Sequence, residues 1–259
     1  MFDALYIGAT GMQAQQSNVE AIANNIANVN TPAYKKGRVN FSELVVQGAL
    51  NAAQASQAAG TSPGMGAGVA LSSVTRIFEP AELKKTEQPM DIAIQGDGFL
   101  ELAMPDGTRA YTRGGSLKVN ADGQLANQAG VALKPGITIP DNTQAVVVSA
   151  GGRVQLRVAG QSALVEAGQL EMVRFTNPQG LLAQGGNVWR ATDASGEAIG
   201  GRPGEDGMGT LAQGFVEGSN VKLVEEMVNL MVAQRAYEAN AKVVQASDEI
   251  MGMVNGLRR

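Results

Sequence analysis

The sequence predicts an α+β protein in which long N- and C-terminal helices pack together as a coiled-coil-like layer, with a mainly antiparallel all-β middle inserted between them. Three observations predict this class: apolar residues at heptad spacing at both chain ends, strand–turn–strand patterns between them, and turn residues at regular intervals along the middle. The 259 residues are enough for one large domain or two small ones. We therefore expect the two chain ends to share one unit.

The N-terminal helix is predicted to cover about residues 4–30. Its apolar residues recur at heptad spacing in two positions, Leu5, Met12, Val19 and Ile26 in one, and Ile22 and Val29 in the other. The end of the helix is marked by Thr31-Pro32, because a residue before proline is pushed out of helical geometry. The amides of Asn24, Asn25 and Asn28 stand out on this apolar frame, since asparagine weakens helix interiors.

The C-terminal helix is predicted to run from about Ser219 to the end of the chain, with Ser219 or Asn220 as its N-cap. Its large apolar residues recur at intervals of threes and fours: Leu223, Met227, Leu230, Tyr237, Val244 and Met251. Proline is absent from this stretch, so nothing in it interrupts the helical pattern.

The middle of the chain reads as strands. Two hairpins are predicted around Asp106-Gly107 and Asp122-Gly123, because Asp-Gly between alternating apolar residues is a strong hairpin signal. Residues 48–70 are rich in Ala, Gly, Gln and Ser and cannot bury enough surface to fold alone. The predicted organisation is a terminal helical assembly domain (1–40 and 215–259), an extended connecting β or hairpin region (41–90), and an outer all-β domain (91–214).

Composition argues against several classes of function. A net charge of −4 and a pI near 5.0 offer no clustered basic face for nucleic acid. The chain has no cysteine and no histidine, which removes disulfides, thiolate chemistry and the commonest general base and metal ligand. We therefore expect no catalytic residues, no cofactor and no bound metal. No cleavable signal or membrane-spanning run is visible, so we expect no membrane insertion and either a cytoplasmic protein or export that keeps the N-terminus.

Two short motifs suggest chemistry, and each has a simpler interpretation. Ser219 and Lys222 match the spacing of an S-x-x-K nucleophile, but the companion motifs are missing, so helix capping is favoured. The TRGGS stretch at residues 112–116 contains one RGG, whereas RNA-binding segments repeat it; we interpret it as a turn between strands.

Both ends of the chain resemble the bacterial flagellar axial proteins, the rod and hook family. The N-terminal stretch with the resemblance is IGATGMQAQQSNVEAIANNIANVNTPAYKKGRVNFSEL. The C-terminal stretch includes EGSNV, EEMVNLM and QRAYEAN, and DIAIQGDGFLEL is similar to the first β segment of the family. One position departs from the family pattern: its usual glycine in the Thr-x-Gly-aromatic-Lys break is Ala33 here, which requires either a negative φ or some backbone strain.

The resemblance implies a tubular helical assembly with the terminal helices in its inner layer and the β domains outside. Chain length and the insert after FSEL resemble most the distal rod members; a proximal rod or hook paralogue is the alternative, and a secreted coiled-coil adhesin is an alternative of another class. The implied partners are further copies of the chain, proximal rod proteins, hook protein, the periplasmic and outer-membrane rings around the rod, and the flagellar export apparatus. The implied location is the basal-body rod, from periplasm to outer membrane, after export without signal cleavage. Residues 42–75 are expected to become ordered in the rod and to stiffen it.

The candidate site is the surface through which copies would assemble. Buried asparagines fix register in coiled coils, so the amides of the two helices, including Asn229, are expected to fix register between subunits. The candidate assembly residues are Leu5, Met12, Val19, Ile22, Asn24, Asn25, Ile26, Asn28, Val29, Leu223, Met227, Leu230, Gln234, Tyr237, Asn240, Val244 and Met251.

Overall fold

The structure is a computed structural model that describes residues 2–45, 66–160 and 163–256. The chain divides into two compact units. One, the helical unit, comprises Met1–Ala27, Gly37–Arg76 and Lys222–Arg259; the other, the β unit, comprises Asn28–Lys36 and Ile77–Val221. The predicted α+β class is confirmed: terminal helices pack together, and the residues between them form mainly antiparallel strands.

Two long helices belong to the helical unit: α1 spans Phe2–Ala27 and α2 spans Leu223–Gly256. The predicted end of α1 at about residue 30 is wrong by one turn. Asn28 forms a turn instead, in which its carbonyl accepts from Thr31 N at 3.1 Å and its side-chain oxygen accepts from the Thr31 hydroxyl at 3.1 Å. No helix within the described residues is long and apolar enough to cross a membrane.

The strands are numbered in chain order, and one 3-10 turn lies at Pro178–Gly180. Their bounds are β1 Gly37–Val45, β2 Gly66–Arg76, β3 Leu83–Lys85, β4 Asp91–Gln95, β5 Phe99–Ala103, β6 Arg109–Thr112, β7 Gly114–Ser116, β8 Lys118–Val119, β9 Leu125–Ala126, β10 Ala132–Lys134, β11 Thr143–Val148, β12 Arg153–Val158, β13 Val165–Gln169, β14 Met172–Arg174, β15 Leu182–Gly185, β16 Val188–Arg190, β17 Ile199–Gly201, β18 Thr210–Gln213 and β19 Phe215–Glu217.

A long antiparallel ribbon completes the helical unit. β1 pairs with β2 from Gly37↔Arg76 to Val45↔Gly66, with irregularities after Asn40 and Glu43. Most of the insert expected to stiffen a rod, residues 46–65, lies outside the described residues. The predicted connecting region, residues 41–90, includes the end of this ribbon at which Val45 pairs with Gly66.

The β unit contains several small antiparallel sheets around a shared apolar core. β5 and β6 form the hairpin predicted at Asp106-Gly107, and β8 and β9 form the one predicted at Asp122-Gly123, so both are confirmed. The largest sheet has the order β15-β16-β6-β5-β10-β9-β8, with β14 pairing with β5 and β17 pairing with β14. The shared core of the β unit consists of aliphatic residues and methionine, of which Ile92, Leu100, Leu133 and Met172 are almost fully buried.

A second, aromatic cluster lies in the β unit. Phe78 packs edge-on against Trp189 and Phe99, with ring centroids 4.8 Å and 5.4 Å apart. Phe175 contacts Phe99 and Tyr111 in the same edge-to-face manner. Such pairs add about 0.5–1.5 kcal/mol beyond the apolar area they bury. Trp189 is the single tryptophan of the chain, so its fluorescence reports on this unit.

Two local predictions are resolved by the fold. The N-cap prediction for α2 is wrong: the helix begins at Leu223, and Asn220 instead accepts from Lys36 N at 2.7 Å and donates to Ile77 O at 2.8 Å. Ala33 adopts the strained alternative, since its φ is +55°. It is buried and donates its backbone N–H to Glu217 O at 2.7 Å, which fixes this conformation.

Candidate assembly interface

Two glycines let the terminal helices approach closely. A Cβ added at Gly8 would lie 2.8 Å from Val244 Cγ2, and one added at Gly11 would lie 2.8 Å from Asn240 Nδ2. Both distances are shorter than side chains tolerate, so the α1 backbone itself forms the contact surface. Because residue numbers fall on α2 as they rise on α1, the two helices run antiparallel.

A polar cluster joins the other end of the helix pair to the start of β1. Asn25 accepts from Gly37 N at 2.8 Å and donates to Gly37 O at 2.9 Å and to Glu226 Oε2 at 3.2 Å. Asn25 and Glu226 are both buried. The amide therefore pairs with both backbone groups of one residue, which fixes where β1 leaves the helices.

The predicted assembly residues separate into two groups by exposure. Twelve are buried or half-buried within the chain: Leu5, Met12, Val19, Ile22, Asn25, Ile26, Asn28, Val29, Leu230, Asn240, Val244 and Met251. Five are exposed: Asn24, Leu223, Met227, Gln234 and Tyr237. Their role in binding other copies stays a prediction. Asn25 contacts Glu226 and Asn240 contacts Gly11 within the chain. Asn24 and Asn229 have exposed side chains.

The buried face of α2 uses smaller and more polar residues than the sequence pattern indicates. Glu226, Ala233 and Ser247 are buried, and Leu230, Asn240 and Val244 are half-buried. Several large apolar residues lie elsewhere on the helix and face solvent. The exposed ones with aliphatic side chains are Leu223, Val224, Met227, Val228, Met231, Val232, Val243, Ile250, Met253 and Val254. α2 thus has a close-packed inner face and an apolar surface that residues 2–45, 66–160 and 163–256 leave exposed.

The β unit contains a buried ionic cluster, formed by Lys35, Arg113 and Glu217. Lys35 Nζ lies 2.6 Å from Glu217 Oε1, and Arg113 Nε lies 3.3 Å from Glu217 Oε2. All three side chains are at most 2 % exposed. The remaining hydrogen-bonding groups are satisfied by the backbone: Glu217 accepts from Ala81 N, Lys35 donates to Glu79 O, and Arg113 donates to the carbonyls after β4.

The charges in this cluster shift each other's ionisation. Burial opposes the charged form of Glu217, but Arg113 and Lys35 outweigh burial and hold the pKa of that carboxyl below its usual range. Burial lowers the pKa of Lys35, and the nearby Arg113 adds to this effect against the attraction of Glu217. The cluster therefore has an ionised carboxylate between two cations, an arrangement suited to joining chain segments.

Each residue of this cluster lies in a motif that the sequence analysis singled out, but the sequence did not show that the three side chains are in contact. Lys35 belongs to the aromatic-Lys pair, Glu217 to EGSNV, and Arg113 to the TRGGS stretch interpreted as a turn. The interpretation of residues 112–116 as a turn is wrong, because Thr112 ends β6 and Gly114–Ser116 forms β7, which leaves Arg113 alone between the two strands. The side chain has a further role that a local pattern cannot reveal, because its partner is 104 residues away. A charged residue inside each of three short motifs was the available signal.

Within residues 2–45, 66–160 and 163–256, no group of three or more acidic, histidine or cysteine side chains is arranged to hold a metal ion.

Comparisons with known proteins agree along the whole chain. Residues 5–35 match the family described as Flagella basal body rod protein, residues 93–156 match the Flagellar hook protein FlgE/F/G D1 domain, and residues 212–257 match the Flagellar basal body rod FlgEFG protein C-terminal family. The two terminal matches include the α1–α2 contact and Glu217.

Relatives that match along the full length of the chain are also named flagellar basal-body rod proteins. The chain is 42% identical to the flagellar basal-body rod protein FlgG of Borreliella burgdorferi over all of both chains. It is 42% identical to FlgG of Caulobacter vibrioides, over 98% of this chain and 99% of that protein. With FlgG of Bacillus subtilis the identity is 35% over all of both chains. The chain belongs to the flagellar basal-body rod protein family.

Proposed function

We propose that the chain is a structural subunit of the flagellar distal rod, which polymerises into a tubular drive shaft, transmits torque across the periplasm and forms part of the export channel. The full-length similarity to basal-body rod proteins supports this proposal. The proposed location is the rod between periplasm and outer membrane, reached by export without signal cleavage. Its role requires no catalytic residue, cofactor or metal.

One observation carries the proposal: α2 has a buried inner face and, on other faces, exposed large apolar side chains. A helix with a single apolar stripe is satisfied by one partner helix, whereas apolar residues around a helix need further partners. Exposed apolar surface of this kind marks protein–protein contact sites. Repeated heterologous contacts between copies build open helical polymers, which is the geometry of a rod.

The proposed partners follow from the position of a rod. Further copies of the chain bind through the terminal helices, proximal rod proteins and hook protein bind at the two ends of the polymer, and periplasmic and outer-membrane rings surround it. The export apparatus delivers the subunits. Contacts with identical copies are the ones that purified protein can test directly.

Electron microscopy of purified chain under assembling conditions tests the proposal. We expect straight tubes from the parent chain and none from Leu230→Asp, because a charge in the half-buried helix seam would be left without a partner. Gln245→Asp places the same charge at an exposed position of α2 and should still polymerise. Unchanged Trp189 fluorescence in both variants verifies that the β unit is folded. Small discrete oligomers in place of tubes would refute the rod and favour an adhesin.

A further inference from the structure

A groove of about 300 Å³ lies in the helical unit between α1 and the β1–β2 ribbon. It is lined by Tyr6, Thr10, Gln13 and Ser17 from α1 and by Leu44 and Leu71 from the ribbon. Thr10 joins the two walls, because its hydroxyl oxygen accepts from Val69 N at 3.4 Å. Among the residues that the structure describes, none that lines the groove is charged, so these residues offer apolar and neutral polar surface to an occupant.

The groove is on the side of α1 that faces away from α2. Gly8 and Gly11 mark the face of α1 in contact with α2. At about 100° per residue, the groove residues of α1 lie roughly 140° around the helix from that face. The α2 helix of the same chain therefore leaves the groove open.

The outer stripe of α2 has complementary properties. We define it as Val224, Met227, Val228 and Met231, whose exposed fractions are 74, 53, 48 and 55%. At the same angular step it lies roughly 170° from the buried face that contains Glu226 and Ala233. From Met227 to Gln234 the helix has no charged residue, so this part of the stripe, which contains Met227, Val228 and Met231, is as neutral as the groove.

We infer that the outer stripe of a second copy occupies the groove, with its α2 antiparallel to the α1 that receives it. This inference rests on the proposed polymer and names the contact that builds it. Copies in an open helical polymer are related by a screw operation, so helices that run along its axis keep the same relative sense between chains as within one chain. α1 and α2 are antiparallel within the chain, and neighbours follow the same rule.

The orientation decides which residues meet. Antiparallel docking brings Val224 next to Ser17 and Met231 next to Thr10, whereas parallel docking would place Met231, in place of Val224, next to Ser17. Arg235, one turn after the stripe, lies within one turn of an acidic residue of α1 in either case, Asp3 in the first and Glu20 in the second. The screw symmetry of the polymer, and not charge, therefore selects the antiparallel arrangement.

Disulfide cross-linking distinguishes these arrangements, because the chain has no cysteine of its own. We expect polymers of Ser17→Cys/Val224→Cys to yield a ladder of covalent oligomers on oxidation, while the unassembled chain yields none. Ser17→Cys/Met231→Cys is the matched control, since residues 224 and 231 are about 10 Å apart along the helix. A disulfide spans only about 3.5–4.5 Å between Cβ atoms, so the control should cross-link at least tenfold less.

A second pair, Gln13→Cys/Val228→Cys, tests the centre of the contact and should also form the ladder. Polymers that form without a ladder from either pair would overturn the inference and leave the proposed rod intact. A ladder from the Met231 control in preference to the Val224 pair would also overturn it, because the docking would then be parallel. A parent chain that never polymerises would refute the rod itself, and the inference with it.

Discussion

Replacing Glu217 by Gln should destabilise the β unit more than any other single loss of charge in an ion pair of the described residues. Glu217 is an anion between two buried cations, with Lys35 Nζ at 2.6 Å and Arg113 Nε at 3.3 Å. Glutamine removes the charge and turns one oxygen into a donor that faces other donors. Breaking a buried ion pair by removing one partner costs about 3–5 kcal/mol, since the remaining charge stays desolvated.

Urea unfolding followed by Trp189 fluorescence measures this cost. Urea slopes of about 1–3 kcal/mol per molar convert 3–5 kcal/mol into a midpoint lower by about 1–5 M. Glu87→Gln is the matched control within the same unit: Glu87 pairs with Lys85 at 3.2 Å, but the two side chains are 78% and 66% exposed. Exposed pairs contribute about 0.2–1 kcal/mol, so its midpoint should barely move.

A double variant tests whether the cost has the stated origin. Lys35→Met added to Glu217→Gln removes one of the two buried cations that have lost the Glu217 carboxylate and should recover part of the lost stability, with a coupling of about 1–3 kcal/mol. A midpoint shift for Glu217→Gln no larger than that for Glu87→Gln would contradict this prediction. Simple addition of the losses from Lys35→Met and Glu217→Gln would contradict the stated origin of the cost.

Three further predictions follow from the described residues. The lowered pKa of Glu217 means that its ionised form stabilises the fold above the unfolded pKa near 4.5, and that this stabilisation is lost as pH falls through the folded pKa. The unfolding free energy, measured from pH 6 to pH 3, should therefore fall less steeply in Glu217→Gln than in the parent chain. Equal slopes would contradict this prediction. Ala33→Gly should change the free energy of unfolding by less than about 1 kcal/mol, because relief of strain at φ +55° is offset by a lost methyl contact and a more flexible unfolded chain. Ala33→Val should lower it by about 2 kcal/mol or more, and thermal unfolding measures both variants. Gly8→Ala should raise the critical concentration for polymerisation, since its Cβ would lie 2.8 Å from Val244 Cγ2, and Gly252→Ala, with open space around it, should not; equal effects of the two would argue against the close helix contact.

Local patterns in the sequence determined the secondary structure and the family. Heptad spacing specified two terminal helices, and Asp106-Gly107 and Asp122-Gly123 specified two hairpins, because periodicity and turn geometry depend on neighbouring residues. The helix ends were less certain from sequence. Asn28 forms a turn with Thr31 that ends α1. Asn220 does not cap α2, because its side chain is hydrogen-bonded to the backbone of Lys36 and Ile77.

The sequence also indicated that the amides of the terminal helices have a structural role, but it could not assign their partners. Asn25 pairs with Gly37 and Glu226, the latter 201 residues away, and Asn240 packs against Gly11. Which face of α2 is buried was likewise decided by packing: close approach at glycines favours small and polar residues there, and leaves larger apolar residues exposed.

Only the tertiary structure brought Lys35, Arg113 and Glu217 together, across separations of 182 and 104 residues. A charge in a sequence is compatible with a solvated surface or with a buried pair, and the two differ by the desolvation free energy of the ion. That free energy depends on which other segments surround the charge. The helices, the hairpins and the family follow from local patterns in the sequence. Which polar residues are buried and paired follows from the fold, because burial depends on contacts between distant parts of the chain.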